Sequence, residues 1–82
     1  MEVRIGVLKK LAKKKQWSIP EMAEKMNIDY SFLYRVLNGQ RKPGRKFFSA
    51  LMLLCMEEGL YFEDYVDFYT FDENKEEEGS ED

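Results

Sequence analysis

Between Trp17 and Pro43 the chain reads WSIPEMAEKMNIDYSFLYRVLNGQRKP, a stretch that carries its own start, turn and stop signals for two short helices. Ser18 followed three positions later by Glu21 is a capping box, in which the serine hydroxyl accepts from the Glu21 N–H and the carboxylate accepts from the Ser18 N–H. Trp17 before the cap and Met22 after it can close as a hydrophobic staple. Pro20 is tolerated because a first-turn residue has no intrahelical N–H bond to lose. Ile19, Met22, Ala23 and Met26 then fall on one apolar stripe, and the small Ala23 permits a close helix crossing. Asn27 accepts a left-handed backbone at modest cost, which predicts a sharp reversal. Asp29 can cap the second helix, Leu33, Val36 and Leu37 supply its stripe, and Gly39 stands at its stop.

The same periodicity extends to both sides. A first helix is expected at about Val3 to Lys15, with Val7, Leu8, Leu11 and Ala12 inward and Lys9, Lys10, Lys13 and Lys14 toward water. A fourth, about Arg45 to Glu58, places Phe47, Phe48, Leu51, Leu54 and Cys55 inward and stops at Gly59. A fifth is expected at about Phe62 to Phe71, where Tyr61, Phe62, Tyr65, Val66 and Tyr69 recur at helical spacing opposite Glu63, Asp64 and Asp67. Strand-like alternation is poor and there is no internal repeat. The expected fold is therefore all-α, a compact five-helix bundle containing a helix-turn-helix over residues 1–71, followed by a disordered acidic C-terminal tail, residues 72–82. At 82 residues this is one domain with a small core.

Charge is divided along the chain more sharply than the net value of −3 suggests. Residues 1–46 hold 12 Lys and Arg against 4 Asp and Glu, and residues 47–82 hold 1 against 12. Because charges are screened over about 8 Å at physiological salt, a polyanion responds to the local basic face rather than to the total. An acidic chain average is compatible with nucleic-acid binding.

The segment MAEKMNIDYSFLYRVLNGQRKP resembles the Cro/C1-type helix-turn-helix family of phage and bacterial repressors. The resemblance is carried by Met22, Ala23, Met26, Ile28, Leu33, Val36, Asn38, Gly39, Arg41 and Pro43, and with flanking helices it covers about residues 3–66. Its most specific part is the Asn-Gly-x-Arg-x-Pro ending. Three positions depart from the family pattern: Ile19 stands where glutamine is frequent, Asn27 where the turn glycine is usual, and Leu37 where glutamate is common.

The resemblance implies a sequence-specific regulator of transcription, a repressor, that binds double-stranded DNA and reads the major groove with the helix from about Tyr30 to Asn38. Carried over residue by residue, the base-contacting positions are Tyr30, Ser31 and Arg35, with Phe32 and Tyr34 near the edge. Arg35 can fork onto guanine O6 and N7, while Phe32 has helix packing as its plainer role. Phosphate contacts fall to Ser18, through the capped helix start, and to Gln40, Arg41, Lys42 and Arg45. On the same reading the acidic tail solubilises the chain or competes with DNA for the basic face.

Six of the 12 aromatic residues lie between Tyr61 and Phe71. Tyr61, Phe62, Tyr65, Phe68 and Tyr69 are accordingly candidates for a homodimer interface on helix five, which sets two recognition helices about 34 Å apart. Catalysis is not expected: there is no histidine, Cys55 is alone on an apolar stripe, and no ligand spacing for a metal or other cofactor is present. No small-molecule ligand is suggested. With no membrane-crossing run, no signal-peptide layout and no disulfide framework, the expected location is the cytoplasm. Two alternatives use the same scaffold, namely a protein-interaction module and an antitoxin or excision-type accessory protein of a mobile element.

Overall fold

In a computed structural model, which describes residues 1–68, the Ser18 cap forms as the sequence requires. The Glu21 N–H donates to Ser18 Oγ at 3.2 Å, and the Ser18 N–H donates to Glu21 Oε1 at 2.9 Å. This fixes the start of α2 (Ile19–Met26). Asn27 then adopts the left-handed conformation (φ 57°), and the Ile28 N–H closes back onto the Ala23 carbonyl at 3.0 Å. Asp29 caps α3 (Tyr30–Leu37) by accepting the Ser31 N–H at 2.9 Å. The end of α3 is closed twice: the Gly39 N–H donates to the Val36 carbonyl at 3.1 Å and the Gln40 N–H to the Arg35 carbonyl at 2.8 Å. That paired closure needs a left-handed residue, supplied by Gly39 at φ 73°.

The helices α1 (Ile5–Lys15) and α4 (Arg45–Glu58) flank this pair. Leu8, Met22, Leu33, Phe47, Leu51 and Leu54 form the centre of the core, each wholly buried, and Ala23 is buried with them on α2. Val7 departs from its expected place and is 39 % exposed. At 100° per residue it lies beyond the arc spanned by Leu11, Leu8, Ala12 and Ile5, so this helix buries a narrower stripe than assumed. Ala50, outside the expected inward set, is buried on α4.

The fifth helix does not form among the described residues. After Gly59 the chain makes a single 3-10 turn, Phe62–Asp64, and then a short strand β2 (Val66–Asp67) that pairs antiparallel with β1 (Glu2–Val3), Val3 opposite Val66. The Arg4 N–H extends the pairing to the Tyr65 carbonyl at 2.8 Å. Two causes favour this outcome: aromatic and β-branched residues suit a pleated backbone better than a helix, and the ladder satisfies backbone groups ahead of α1. Val66 is almost fully buried in consequence, and α1 begins at Ile5 rather than Val3. The described architecture is thus mostly helical, with four α-helices and a two-stranded tie between its ends.

The expected dimer face on helix five loses its scaffold with that helix. Tyr65 belongs to the core at 9 % exposure, Phe62 is half-buried, and Tyr61 and Phe68 are exposed without sharing a helical face. Tyr69 and the expected tail, residues 72–82, lie outside the described residues. No helix among the described residues is long and apolar enough to cross a membrane.

Candidate nucleic-acid interface

Because Leu33, Val36 and Leu37 turn into the core, α3 must present Tyr30, Ser31, Tyr34 and Arg35 outward, and all four are exposed. Ser31 and Arg35 are one turn apart on the same side, and the rings of Tyr30 and Tyr34 lie side by side at 6.0 Å. Phe32 points the other way. Its ring meets Phe47 edge-on (6.0 Å, 84°) and carries the Arg41 guanidinium above it at 4.9 Å. Phe32 is therefore half-buried support for a cation of the following loop.

The loop after α3 and the first turn of α4 complete a groove of about 430 Å³. Ser31 and Arg35 line it from α3, Arg41 and Lys42 from the loop, and Arg45 and Lys46 from α4, with Asp29 the one carboxylate among its lining residues. The Asp29 side chain is already engaged as the cap of α3. Ion pairs among the described residues lie elsewhere: Arg4 with Asp67 at 4.0 Å, and Glu58 with Lys15 at 3.9 Å and Lys25 at 3.8 Å. Among the described residues the five groove cations have no carboxylate partner.

Several sequence-derived candidates thus converge: Ser31, Arg35, Arg41, Lys42 and Arg45 share one groove, and Phe32 forms its floor beneath Arg41. Lys46 joins them and was missed, although it extends the basic run that begins at Arg41. Tyr30 and Tyr34 stand beside the groove on α3, and Gln40 is exposed in the loop; none of the three lines the groove. Ser18 is also apart from it. Its hydroxyl and N–H are both committed to Glu21, and Pro20 has no N–H, so the first turn of α2 keeps only the Ile19 N–H for an anion.

A second, apolar groove of about 400 Å³ lies next to the first, lined by Phe48 and Met52 of α4 together with Met1, Phe62 and Phe68. Arg45 lines both grooves. The remaining reactive group, Cys55, is buried on α4; burial first, then Asp64 and Glu63, pushes its thiol pKa up and keeps it neutral. Comparison of the chain with protein-family models, curated proteins and solved structures found no match.

Proposed function

We propose that this chain is a sequence-specific double-stranded DNA-binding regulator of transcription, a repressor of the Cro/C1 type, in which α3 reads base edges in the major groove. One observation carries the reading: Arg35 on the outer face of α3 opens onto a groove whose other cations, Arg41, Lys42, Arg45 and Lys46, have no carboxylate partner among the described residues.

The division of labour follows from position. Arg35 and Ser31 project from a helix end-capped and packed on its inner side, a rigid mount of the kind base readout needs. Tyr30 and Tyr34 present apolar ring surface to a thymine methyl or a sugar. The cations of the loop and α4 take phosphates, which orient the protein without specifying sequence. Arg41 is held by Phe32 and so grips with less freedom than Lys42. With Ser18 committed to its own cap, the backbone grip falls to the α3–α4 loop.

Duplex affinity measured against salt tests this reading. If the four phosphate-facing cations each displace a condensed counterion, log affinity falls with log salt at a slope of about −3.6, and Lys42→Ala reduces that slope by about 0.9 for every sequence alike. A full chain that retains no duplex at low salt contradicts the proposal and favours the protein-interaction alternative.

A further inference from the structure

The outer face of α3 carries more than its arginine. Tyr30 and Tyr34, one turn apart, set their ring centroids 6.0 Å apart at a tilt of 33°, and both side chains are nearly half exposed, at 47 % and 42 %. Neither belongs to the core or to the partly buried apolar residues packed against it. Packing thus gives no reason for an aromatic pair here, on a helix whose start is capped by Asp29 and whose inner side is sealed by Leu33, Val36 and Leu37. We propose that Tyr30 and Tyr34 are a receptor for the C5 methyl group of a pyrimidine next to the guanine taken by Arg35, so that the protein binds thymine over uracil and 5-methylcytosine over cytosine. This methyl readout rests on the proposed function and deepens it: the methylation state of the duplex becomes part of what α3 recognises.

Position on the helix favours bases over backbone as the target of the rings. Ser31, Phe32 and Arg35 line the cationic groove and the two tyrosines do not. At about 100° per residue, the Tyr30–Tyr34 row adjoins the Ser31–Arg35 row on the side away from Arg41, Lys42, Arg45 and Lys46. A phosphate strand gripped by those cations is therefore across Arg35 from the rings, and the rings meet the neighbouring base edge. Scale agrees, since rings 6.0 Å apart span about two base-pair steps of about 3.4 Å. Chemistry agrees as well: the C5 methyl is the apolar group among the donors and acceptors of the major groove, and a stiff aromatic ring meets it at small entropic cost. Thymine and 5-methylcytosine carry this methyl at the same ring position, where uracil and cytosine carry hydrogen. Every base pair contains one pyrimidine, so a C5 position always lies beside the guanine.

The experiment changes the DNA rather than the fold. A duplex enriched by the full-length chain from a random pool, at a fixed salt of about 100 mM, is the probe, and the guanine preference lost in Arg35→Ala marks the reference position. In the base pairs flanking that guanine each thymine is replaced by uracil and each cytosine by 5-methylcytosine, one at a time. At one or two of these positions the parent binds about fourfold more weakly when a methyl is removed, or about fourfold more tightly when one is added, the effect of burying about one methyl group. A chain carrying both Tyr30→Ala and Tyr34→Ala, exposed positions outside the core, binds the methylated and unmethylated forms equally and keeps the guanine preference.

Equal affinity for methylated and unmethylated forms at every flanking position overturns the methyl receptor and leaves the DNA reading in place; if the double variant then binds every duplex more weakly, the rings belong to the sugar–phosphate backbone. Methyl dependence that persists in the double variant also overturns it, and assigns the effect to DNA shape. A pool that enriches no duplex, or a guanine preference that survives in Arg35→Ala, contradicts the DNA reading itself, and the methyl receptor falls with it.

Discussion

The Arg41 guanidinium lies 4.9 Å above the centroid of the Phe32 ring, and the same ring packs edge-on against Phe47 at the centre of the core. A loop cation is thereby held in place by a helix side chain that is itself packed against the core. Shape and charge are coupled through one ring.

Replacing that ring separates the two roles. Phe32→Leu retains apolar volume but removes the aromatic face and the edge-on pair, so stability falls by about 1 kcal/mol in a denaturant titration. Duplex affinity falls about two- to fivefold across all sequences, the equivalent of a cation–π contact of about 0.5–1 kcal/mol at a half-exposed site. Loss of stability with unchanged affinity limits Phe32 to packing.

The two-stranded tie gives a substitution whose sign depends on the local structure. Val66 is almost fully buried opposite Val3, so Val66→Ala deletes two methyl groups from a sealed site and costs about 1–3 kcal/mol. In the helix expected from the aromatic spacing, alanine is the better helix former and the cost is smaller or reversed. Equilibrium unfolding of the two proteins decides between these.

Gln16 ends α1 in the left-handed conformation (φ 61°), a backbone state that disfavours any residue with a Cβ. Gln16→Gly removes that strain and raises stability by about 0.5–1 kcal/mol, measured by thermal or chemical unfolding. A destabilised variant shows that the glutamine side chain contributes more than its backbone costs.

Alkaline pH weakens the fold through Cys55 and Tyr65. Burial is the first cause of the raised pKa at each; Asp64 and Glu63 add to it at Cys55, and Cys55 and Asp64 add to it at Tyr65. The folded chain holds both protons more tightly than the unfolded chain, so the stability they contribute is complete below about pH 9, the ordinary thiol value of 9.0, and declines as pH rises through the folded values. Denaturant titrations from about pH 8 to about pH 10.5 show this decline, and Cys55→Ala delays its onset toward the ordinary tyrosine value of 10.0. A flat profile contradicts the burial argument.

The sequence revealed local signals more readily than long-range ones. The cap at Ser18, the reversal at Asn27 and the stops at Gly39 and Gly59 were legible because each depends on one or two side chains acting on their own backbone. Gln16 carried no comparable signal, since its left-handed state follows from how α1 must turn into α2. The β1–β2 pairing was hidden for a related reason: its partners are more than 60 positions apart, and two-residue strands show no alternation to read. At the site, basic residues after α3 pointed to a cationic surface, but the inward turn of Phe32 and the convergence of Lys46 required the α3–α4 packing.

Selection from random duplexes, run in parallel with the parent chain and Arg35→Ala at one stated salt concentration, tests the central claim most directly. The account predicts that the parent enriches a defined motif and that Arg35→Ala loses preference at one guanine-bearing position, by about 1–3 kcal/mol of discrimination, while the rest of the motif survives. No enrichment by the parent, or an identical motif from both proteins, contradicts the assignment of α3 as the reading helix.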